Sequence, residues 1–374
     1  MKRINPELWK QFDTILSSLS PQDKIAIYHD ADPDGTCSGA LLSIAIERQC
    51  GTRPEFHLGP IGGERFLPDE AITLLRSKKI TLVFTTDIAL DEHPEQLHKL
   101  ASFARIVVID HHKLYQDVTS ERILLLKPQM LAEGIEPAKY CSSKLVYDLC
   151  SRTVKLDDKS WIAAVGVISD MTASAWLEFL HTVFETYKYT ALSTSESGEW
   201  FRTRLGKISR IISSAEVYDP KNVDACFDLL TTARHPKNVF ASPLAACDKE
   251  ITGEITHYLK RLPKDAEHVK SADLVYYHIS PRFNIKSPLC TLASLKYPDK
   301  TVMVVTVIAG RAHVSARRQD KKVAMNDLLE HACKNFLDAN AGGHIPAAGA
   351  SFPARYLPTF KEYVTNVLKK EKFK

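Results

Sequence analysis

Polar side chains of the metal-binding type follow one apolar, strand-like run after another in the N-terminal half of this chain. Three such runs carry them: Ile25–Tyr28 is followed by Asp30, Asp32 and Asp34, Ile80–Thr86 by Asp87, and Arg105–Ile109 by Asp110, His111 and His112. Helix-like segments separate the runs, and this alternation predicts a parallel, doubly wound α/β sheet. Because ligands bind at the carboxyl ends of the strands in such sheets, we expect these side chains to converge there.

Carboxylates gathered at one sheet edge need a partner of opposite charge, because like charges at short range raise one another's pKa values. Carboxylate oxygens together with imidazole suit a divalent cation such as Mn or Mg. The alternative for the first cluster is an acidic turn that only caps the next helix, which we predict from Gly39 to Arg48. We favour the cation site because the pattern recurs. It recurs even at Asp170, which follows the apolar segment Trp161–Ser169 and would by itself be as easily a helix cap.

In their order, these segments resemble the motifs of a known family. The four motifs of the DHH phosphoesterase superfamily are similar to His29–Gly35, Asp87, Asp110–His112 and Asp170. That superfamily includes RecJ-type single-strand exonucleases, nano-RNases, cyclic-dinucleotide phosphodiesterases and phosphate-chain hydrolases. Near the C-terminus, Gly342–Gly349 resembles the Gly-rich loop of the associated DHHA1 domain, and His313–Arg318 resembles its strand with a Ser-x-Arg motif. The resemblance covers most of the chain and is weakest in the middle.

The resemblance implies a phosphodiesterase with two divalent cations, with Mn preferred and Mg as the alternative. By position in the motifs, the first ion would be held by Asp32 and either Asp30 or His29. The second ion would be held by Asp34, His111 and Asp170, and Asp87 would bridge both ions. Of the remaining motif residues, His112 would touch the substrate phosphate and Asp110 would orient a histidine ring.

The resemblance also implies two lobes with an active site in the cleft between them. Residues 1–189 would form the metal-binding DHH lobe, residues 190–265 a helical connector, and residues 266–374 a smaller α/β DHHA1 lobe. The second lobe would bind substrate through Ser315, Arg317, Asn326, Gly342, Gly343 and His344. We expect Gly342–Gly349 to be a loop whose backbone N–H groups approach a terminal phosphate, which Arg317 would grip with two hydrogen bonds.

The expected activity is an exonuclease that releases mononucleotides from short single-stranded RNA or DNA. One alternative is a phosphohydrolase that acts on cyclic dinucleotides or polyphosphate. The other is a non-enzymatic scaffold like the replication-factor relatives of RecJ. We favour an enzyme because such scaffolds lose metal ligands, whereas Asp87, His111 and Asp170 are present here. The expected partner is the nucleic acid or nucleotide substrate, and a homodimer is left open.

Charge and cysteine usage add weaker constraints. The 374 residues carry a net charge of +4, which tolerates an anionic substrate without requiring nucleic acid. The basic segment Arg202–Ser213 is either a path for a nucleic-acid backbone or a solvated helix face, and we favour the solvated face. Eight cysteines without a CxxC pair, after a polar N-terminus, predict a reducing, cytoplasmic setting. No apolar run approaches the ~20 residues of a membrane span.

Overall fold

The computed structural model describes residues 1–59 and 66–371, except for the side chains of His344 and Glu371. The chain divides into two compact units, Met1–Asp248 and Lys249–Lys374. The division into residues 1–189, 190–265 and 266–374 stays a prediction. No described helix combines the length and the apolar character that crossing a membrane requires.

The first unit is built on a parallel sheet, as the sequence predicts, and the sheet has five strands. Its strands are β2 (Ile25–His29), β3 (Phe56–Leu58), β4 (Leu82–Thr86), β5 (Arg105–Ile109) and β6 (Ile123–Leu126), in the spatial order β3-β2-β4-β5-β6. A separate two-stranded antiparallel pair joins β1 (Lys2–Arg3) to β7 (Ala132–Glu133). Neighbouring strands are in register, with His29 opposite Thr86, Thr86 opposite Ile109, and Ile109 opposite Leu126.

Helices cover both faces of this sheet. In chain order they are α1 (Pro6–Ser17), α2 (Pro33–Cys50), α3 (Asp69–Ser77), α4 (Pro94–Ala101), α5 (Pro128–Leu131), α6 (Ser142–Cys150), α7 (Ser160–Ser169), α8 (Leu177–Thr186), α9 (Arg204–Tyr218), α10 (Asn222–Thr232), α11 (Lys237–Phe240) and α12 (Leu244–Asp265), whose last part belongs to the second unit. On β2, Ile25 and Ile27 join the larger core with α2, α6 and α7. The alternate residues Ala26 and Tyr28 join the smaller core with α3 and α4. Side chains of a strand point to opposite faces in turn, so this alternation confirms a doubly wound sheet.

The second helix begins earlier than the sequence suggests. We expected it from Gly39, but α2 begins at Pro33. Asp32 caps it by accepting a 2.8 Å hydrogen bond from the Gly35 N–H, and Pro33 occupies the first turn, where proline needs no hydrogen-bond donor. Gly35 is required there because a Cβ would lie 2.5 Å from the carbonyl oxygen of Asp30. Asp32 is therefore a helix cap and also a member of the acidic cluster.

Helices that the sequence assigns to a connector pack within the first unit. The helix α10 packs on α2, and α9 packs on α7 and α10. The aromatic ring of Phe227, on α10, stacks on His29 at 5.0 Å between ring centroids. The segment Met1–Asp248 therefore contains one large core, which includes residues of α9 and α10 such as Ile208 and Leu230.

The second unit is a mixed sheet with helices on both faces. Its elements are β8 (Glu267–Val269), β9 (Leu274–His278), α13 (Lys286–Lys296), β10 (Thr301–Ile308), β11 (Arg311–Arg317), α14 (Met325–Cys333), β12 (Asn340–His344), β13 (Ala347–Pro353) and α15 (Leu357–Glu371). The spatial order is β12-β13-β11-β10-β9-β8, and only β9 and β10 are parallel neighbours among these described strands. Val314 and Ala316 of β11 pack on the core with α14 and α15, while α13 packs on β10 and β11.

The expected loop at Gly342–Gly349 is wrong, because these residues form most of an antiparallel hairpin of β12 and β13. Gly342 pairs with Gly349 and His344 pairs with Ala347, which leaves only Ile345 and Pro346 in the turn. Gly343 has a φ of +143°, and a Cβ there would lie 2.6 Å from the Ala347 carbonyl oxygen. The absence of a side chain at Gly343 thus allows close approach of the two strands, which a loop prediction from composition does not capture.

Candidate metal centre

Three aspartates lie in one row along the carboxyl edge of the first sheet. Each follows its strand directly and extends the ladder by one backbone hydrogen bond. The N–H of Asp30 donates to the Thr86 carbonyl (3.2 Å), that of Asp87 to Ile109 (3.0 Å), and that of Asp110 to Leu126 (3.2 Å). The parallel register therefore brings residues from distant parts of the chain side by side.

Seven side chains from this edge and the adjoining helices form three overlapping clusters. Within each cluster, one nitrogen or oxygen atom per residue lies within 4.8 Å of the others: Asp30, Asp32 and Asp87; Asp34, His111 and Asp170; and Asp87, His111 and His112. The structure thus brings together every aspartate and histidine that the resemblance assigned as a metal ligand, apart from His29. Whether each one ligates a metal stays a prediction.

Asp34 is held by the N-terminus of a neighbouring helix. Its two carboxylate oxygens accept hydrogen bonds from the N–H groups of Ser142 (2.7 Å) and Ser143 (3.1 Å), at the start of α6. Gly166 of α7 lies against this contact, because a Cβ there would come 1.8 Å from Ser143 Oγ and 2.5 Å from Asp34 Oδ1. The carboxylate is therefore held in place by two N–H donors at a helix N-terminus.

Asp87 lies at the centre of the clusters. It is buried, its φ of 65° falls in the left-handed region, and its Oδ1 accepts a 2.8 Å hydrogen bond from Ser142 Oγ. The same oxygen lies 3.4 Å from Nε2 of His111, whose Nδ1 lies 3.7 Å from Asp170 Oδ2. Asp87 thus belongs to two of the three clusters and contacts His111, which belongs to the third. This is the position that a bridging ligand requires.

The acidic groups repel one another strongly. Desolvation, followed by the charges of Asp30 and Asp34, raises the pKa of Asp32 to about 7, although this residue keeps an exposed surface. Burial, followed by the charges of Asp34 and Asp32, raises the pKa of Asp170 to about 9. Burial likewise raises the pKa of Asp87 well above its usual range. A divalent cation would relieve this repulsion, because it favours the charged carboxylates.

The histidine between the clusters is suited to metal binding. Burial lowers the pKa of His111, so the neutral ring that can ligate is favoured. Its Nδ1 and Oδ2 of Asp170 are buried without a hydrogen-bond partner among the described residues. Buried polar atoms are nearly always satisfied, so this pair of acceptors fits a cation.

Asp110 differs from the other aspartates because it is paired. Burial by itself would raise its pKa, but the hydrogen bond from His112 Nδ1 (2.7 Å) and the charge of Lys127 outweigh burial and lower it to about 2. The bond gives His112 the tautomer with the proton on Nδ1, and the His112 side chain is 41% exposed. As expected, this carboxylate orients a histidine ring.

His29, the alternative first ligand, lies among rings rather than among carboxylates. It is fully buried, its Nδ1–H donates a 2.7 Å hydrogen bond to the Asp30 carbonyl, and its ring stacks on Phe227. Burial lowers its pKa to about 4. Of the two candidates for the first ion, Asp30 alone lies in a metal-type cluster of the described residues.

The predicted substrate residues of the second unit are largely on one sheet face. His313, Ser315 and Arg317 alternate along β11, and the facing residues of β13 are small: Ser351, Gly349 and Ala347. The same rows continue to Gly342 and His344 on β12, although the His344 side chain lies outside the described part. Asn326 is not aligned with them, because α14 packs on the opposite face and the Asn326 amide donates to Asp327 Oδ1.

Sequence reasoning missed four residues that support these sites. Lys127 ends β6 just as the aspartates end their strands, and the run Ile123–Leu126 was a signal for it. Ser142 and Gly166 could not be found, because their role depends on contacts between helices that are distant in sequence. In the second unit, Lys286 Nζ donates to Ser315 Oγ (3.3 Å) and extends the basic surface around Arg317.

Two family models match the chain. The model described as the DHH family, N-terminal domain, matches residues 24–175, and the model described as the DHHA1 domain matches residues 291–370. The first range contains all the clustered aspartates and histidines, and the second contains β11 and the Gly-rich hairpin. No curated protein matches the chain.

Solved structures share the fold at low sequence identity. RecJ from Thermus thermophilus in complex with Mn²⁺ is 17% identical with a TM-score of 0.68, over 97% of this chain and 55% of that one. Another exonuclease RecJ bound to manganese is 17% identical with a TM-score of 0.66, over 96% and 94%. The pGpG-specific phosphodiesterase PggH from Vibrio cholerae is 11% identical with a TM-score of 0.50, over 93% and 100%. The chain thus spans about half the length of the Thermus protein.

Proposed function

Because the chain belongs to the DHH/DHHA1 superfamily of phosphoesterases, we propose that it is a Mn²⁺-dependent exonuclease that releases mononucleotides from short single-stranded RNA or DNA. The observation that carries this proposal is the position of Asp87. Its carboxylate belongs to one cluster with Asp30 and Asp32, and it touches His111, which belongs to the other cluster. Two sites that share one carboxylate are the arrangement that two-metal phosphodiester hydrolysis requires.

The residues fit two divalent cations. Asp30 and Asp32 would hold the first, Asp34, His111 and Asp170 the second, and Asp87 both. Oxygen donors with one imidazole suit Mn²⁺, and Mg²⁺ is the alternative. When bound, such ions supply an activated water at neutral pH and neutralise charge on the phosphate.

The chain's own groups would position the substrate and move a proton. Since Asp110 holds the Nδ1 proton of His112, Nε2 is the ring atom that can accept a proton or bond a phosphate oxygen. The side chain of His112 is partly exposed and belongs to the same cluster as Asp87, so it can meet a phosphate there. Asp34 cannot rotate away, because two N–H groups of α6 hold its oxygens.

The second unit would hold the terminal nucleotide. Arg317, Ser315 and Lys286 present one guanidinium, one hydroxyl and one ammonium on a single face. The opposing strand carries Ala347 and Gly349, which leave room for a ligand above the sheet. A phosphate suits this set of donors, and bidentate binding to Arg317 would orient it.

Two other substrate classes remain as alternatives, cyclic dinucleotides and polyphosphate. The similarity of fold to PggH, a pGpG-specific phosphodiesterase, supports keeping the first of these classes as a candidate. An inactive scaffold is less favoured, because all the clustered carboxylates and His111 are retained.

A side-by-side hydrolysis assay distinguishes these activities. The full chain, loaded with Mn²⁺, is incubated with a five-nucleotide oligomer labelled at either end, with a cyclic dinucleotide and with polyphosphate. We expect stepwise release of mononucleotides from one end of the oligomer and no such release by Asp87→Asn. Turnover of only the cyclic dinucleotide or polyphosphate, or oligomer hydrolysis that survives Asp87→Asn, would contradict the proposal.

A further inference from the structure

A basic groove lies on the first unit, away from the acidic clusters. It has a volume of about 980 Å³ and is formed by the end of α8, the segment that follows it, the first turn of α9, and α11 with the residues before it. We call it the α8–α11 groove. No acidic residue of the described chain lines it, and its basic side chains are Lys188, Arg202, Arg204, Lys207, His235 and Lys237.

Most of these cations lack a carboxylate partner among the residues that the structure describes. Within that part of the chain, Lys188, Arg204, Lys207 and Lys237 form no ion pair, and all four are exposed. Arg202 is different, because it pairs with Glu199 at 2.7 Å. A surface that concentrates unpaired positive charge and excludes acidic groups is suited to a polyanion.

The structure divides the basic segment Arg202–Ser213 into two parts. Arg210 forms a bidentate ion pair with Asp248 at 2.8 and 3.0 Å, so it serves packing between α9 and α12. Arg204 and Lys207 instead line the groove. Both residues are exposed, so the solvated helix face that we favoured from sequence stays a prediction for this part of the helix.

Aromatic rings lie among the cations. Tyr187 and Tyr189 pack edge-on against His235, at 5.4 and 6.4 Å between ring centroids. The Arg204 guanidinium lies 5.8 Å from the centre of the Phe240 ring. Alternating cations and half-buried aromatic rings are typical of grooves that bind single-stranded nucleic acid, because cations contact phosphates and rings stack on bases. A polyphosphate chain or a lipid headgroup has no base that could stack on the rings.

Local structure holds the first turn of α9 in place. Thr203 caps the helix by accepting a 3.1 Å hydrogen bond from the Gly206 N–H. Gly206 packs directly on the preceding segment, since a Cβ there would lie 2.3 Å from the Trp200 carbonyl oxygen. Arg204 and Lys207 are therefore presented from a fixed turn.

The helix α9 connects this groove to the acidic clusters. Near its other end, Glu216 lies within electrostatic range of the Asp30 carboxylate. At 1.5 Å per residue, the Cα atoms of Lys207 and Glu216 are about 14 Å apart along the helix. A stacked strand advances about 3.4 Å per nucleotide, so this distance corresponds to about four nucleotides.

We propose that the α8–α11 groove binds the backbone of a single-stranded nucleic acid about four or more nucleotides from the end that is cut. The inference rests on the proposed nuclease function for its substrate class. It adds a second contact, distant from the metals, that only longer strands reach. A dinucleotide would then bind without contacting the groove, whereas a twelve-nucleotide strand would contact it.

Charge reversal in the groove tests this proposal. Binding of a fluorescent twelve-nucleotide single strand to the full chain is measured in EDTA, so that no hydrolysis intervenes, across a series of salt concentrations. We expect Arg204→Glu/Lys207→Glu to weaken binding about tenfold. The slope of log K against log salt concentration should become shallower by about 1.4, the value for two lost phosphate contacts. Arg204→Gln/Lys207→Gln should show a smaller loss of the same kind.

A matched control separates the groove from overall charge. Lys10 and Lys221 are exposed, form no ion pair among the described residues and do not line the groove. Lys10→Glu/Lys221→Glu changes net charge by the same amount and should bind the strand like the wild type. Equal weakening by the control, unchanged binding by both groove variants, or binding of polyphosphate but not of the strand would overturn the proposal.

Hydrolysis of a dinucleotide with Mn²⁺ is the second readout, and it keeps the two proposals apart. The groove variants should hydrolyse the dinucleotide as fast as the wild type while losing affinity for the long strand. If the wild type hydrolyses nothing yet binds the strand through the groove, the nuclease proposal fails and the groove stands. If hydrolysis occurs but the groove variants bind normally, only the groove proposal fails.

Discussion

Lys127 Nζ lies 2.8 Å from Asp110 Oδ2, and neither side chain has any exposed surface. The same ammonium lies 2.7 Å from a second buried carboxylate, Asp91, and donates to the carbonyl of Lys113. Lys127 directly follows β6, so it stands beside Asp110 at the edge of the sheet. One buried cation thus fixes the carboxylate that orients His112.

Removing this cation should destabilise the protein strongly. Lys127→Met leaves two buried carboxylates without the ammonium that neutralises them, which typically costs about 3–5 kcal/mol. Lys99→Met removes an exposed lysine that pairs with Asp69 at 2.7 Å and should cost under about 1 kcal/mol. Denaturant unfolding of both variants measures the difference. A loss for Lys127→Met no larger than for Lys99→Met would show that the buried pair is not needed.

Gly166→Ala should damage the metal centre from a neighbouring helix. The added Cβ would overlap Ser143 Oγ and Asp34 Oδ1, so α7 must shift or Asp34 must leave its two N–H donors. We expect weaker Mn²⁺ binding and lower thermal stability. Gly253→Ala is the matched control, because Gly253 is also helical, has nothing within 4 Å of its Cβ position and should gain about 0.5–1 kcal/mol. Normal Mn²⁺ affinity in Gly166→Ala would contradict the geometry described for Asp34.

Divalent metal binding should release protons and strengthen as the pH rises. The pKa of Asp32 is raised to about 7 and that of Asp170 to about 9, so without metal both groups hold protons below these values. A cation must displace those protons, and its affinity should therefore rise between about pH 6 and 9 and level off above. Calorimetry at pH 7.5 in two buffers with different ionisation enthalpies gives the number of protons released. Binding without proton release and without pH dependence would be inconsistent with the crowded carboxylates.

The same raised pKa values also govern the stability of the metal-free protein. An acid with a raised folded-state pKa binds more protons folded than unfolded. Its stabilising contribution is therefore fully present below about pH 4, the usual pKa of an aspartate, and is lost as the pH rises to about 7 for Asp32 and to about 9 for Asp170. Added Mn²⁺ should restore stability at the alkaline end of this window. That restoration can be followed by thermal unfolding in the same series of buffers.

The parallel sheet and most of the acidic cluster were predictable because both depend on short-range pattern. Asp30, Asp87 and Asp110 each follow an apolar run, and the parallel register brings them side by side at one edge of the sheet. The run before Lys127 has the same form but is rich in leucine, which has no strong strand preference, so β6 was missed. The early start of α2 depended on a cap by Asp32, and the same carboxylate also belongs to the acidic cluster.

What sequence could not supply are the contacts between distant helices. The N–H groups that hold Asp34 belong to residues more than a hundred positions away, and no local pattern marks Ser142 or Gly166 for this role. The Gly-rich hairpin was mistaken for a loop because glycine composition predicts turns, whereas here the missing Cβ of Gly343 lets β12 and β13 approach. The split of the basic segment between Arg210 and Lys207 likewise required knowing the position of Asp248.

The most direct test of the metal centre is the number of Mn²⁺ ions bound per chain, measured by equilibrium dialysis of wild type and Asp87→Asn. Asp69→Asn, which changes an exposed carboxylate, is the control. We predict two ions for the wild type and the control, and at most one for Asp87→Asn. A wild type that binds one ion or none, or an Asp87→Asn variant that keeps both with unchanged affinity, would contradict the shared two-metal centre.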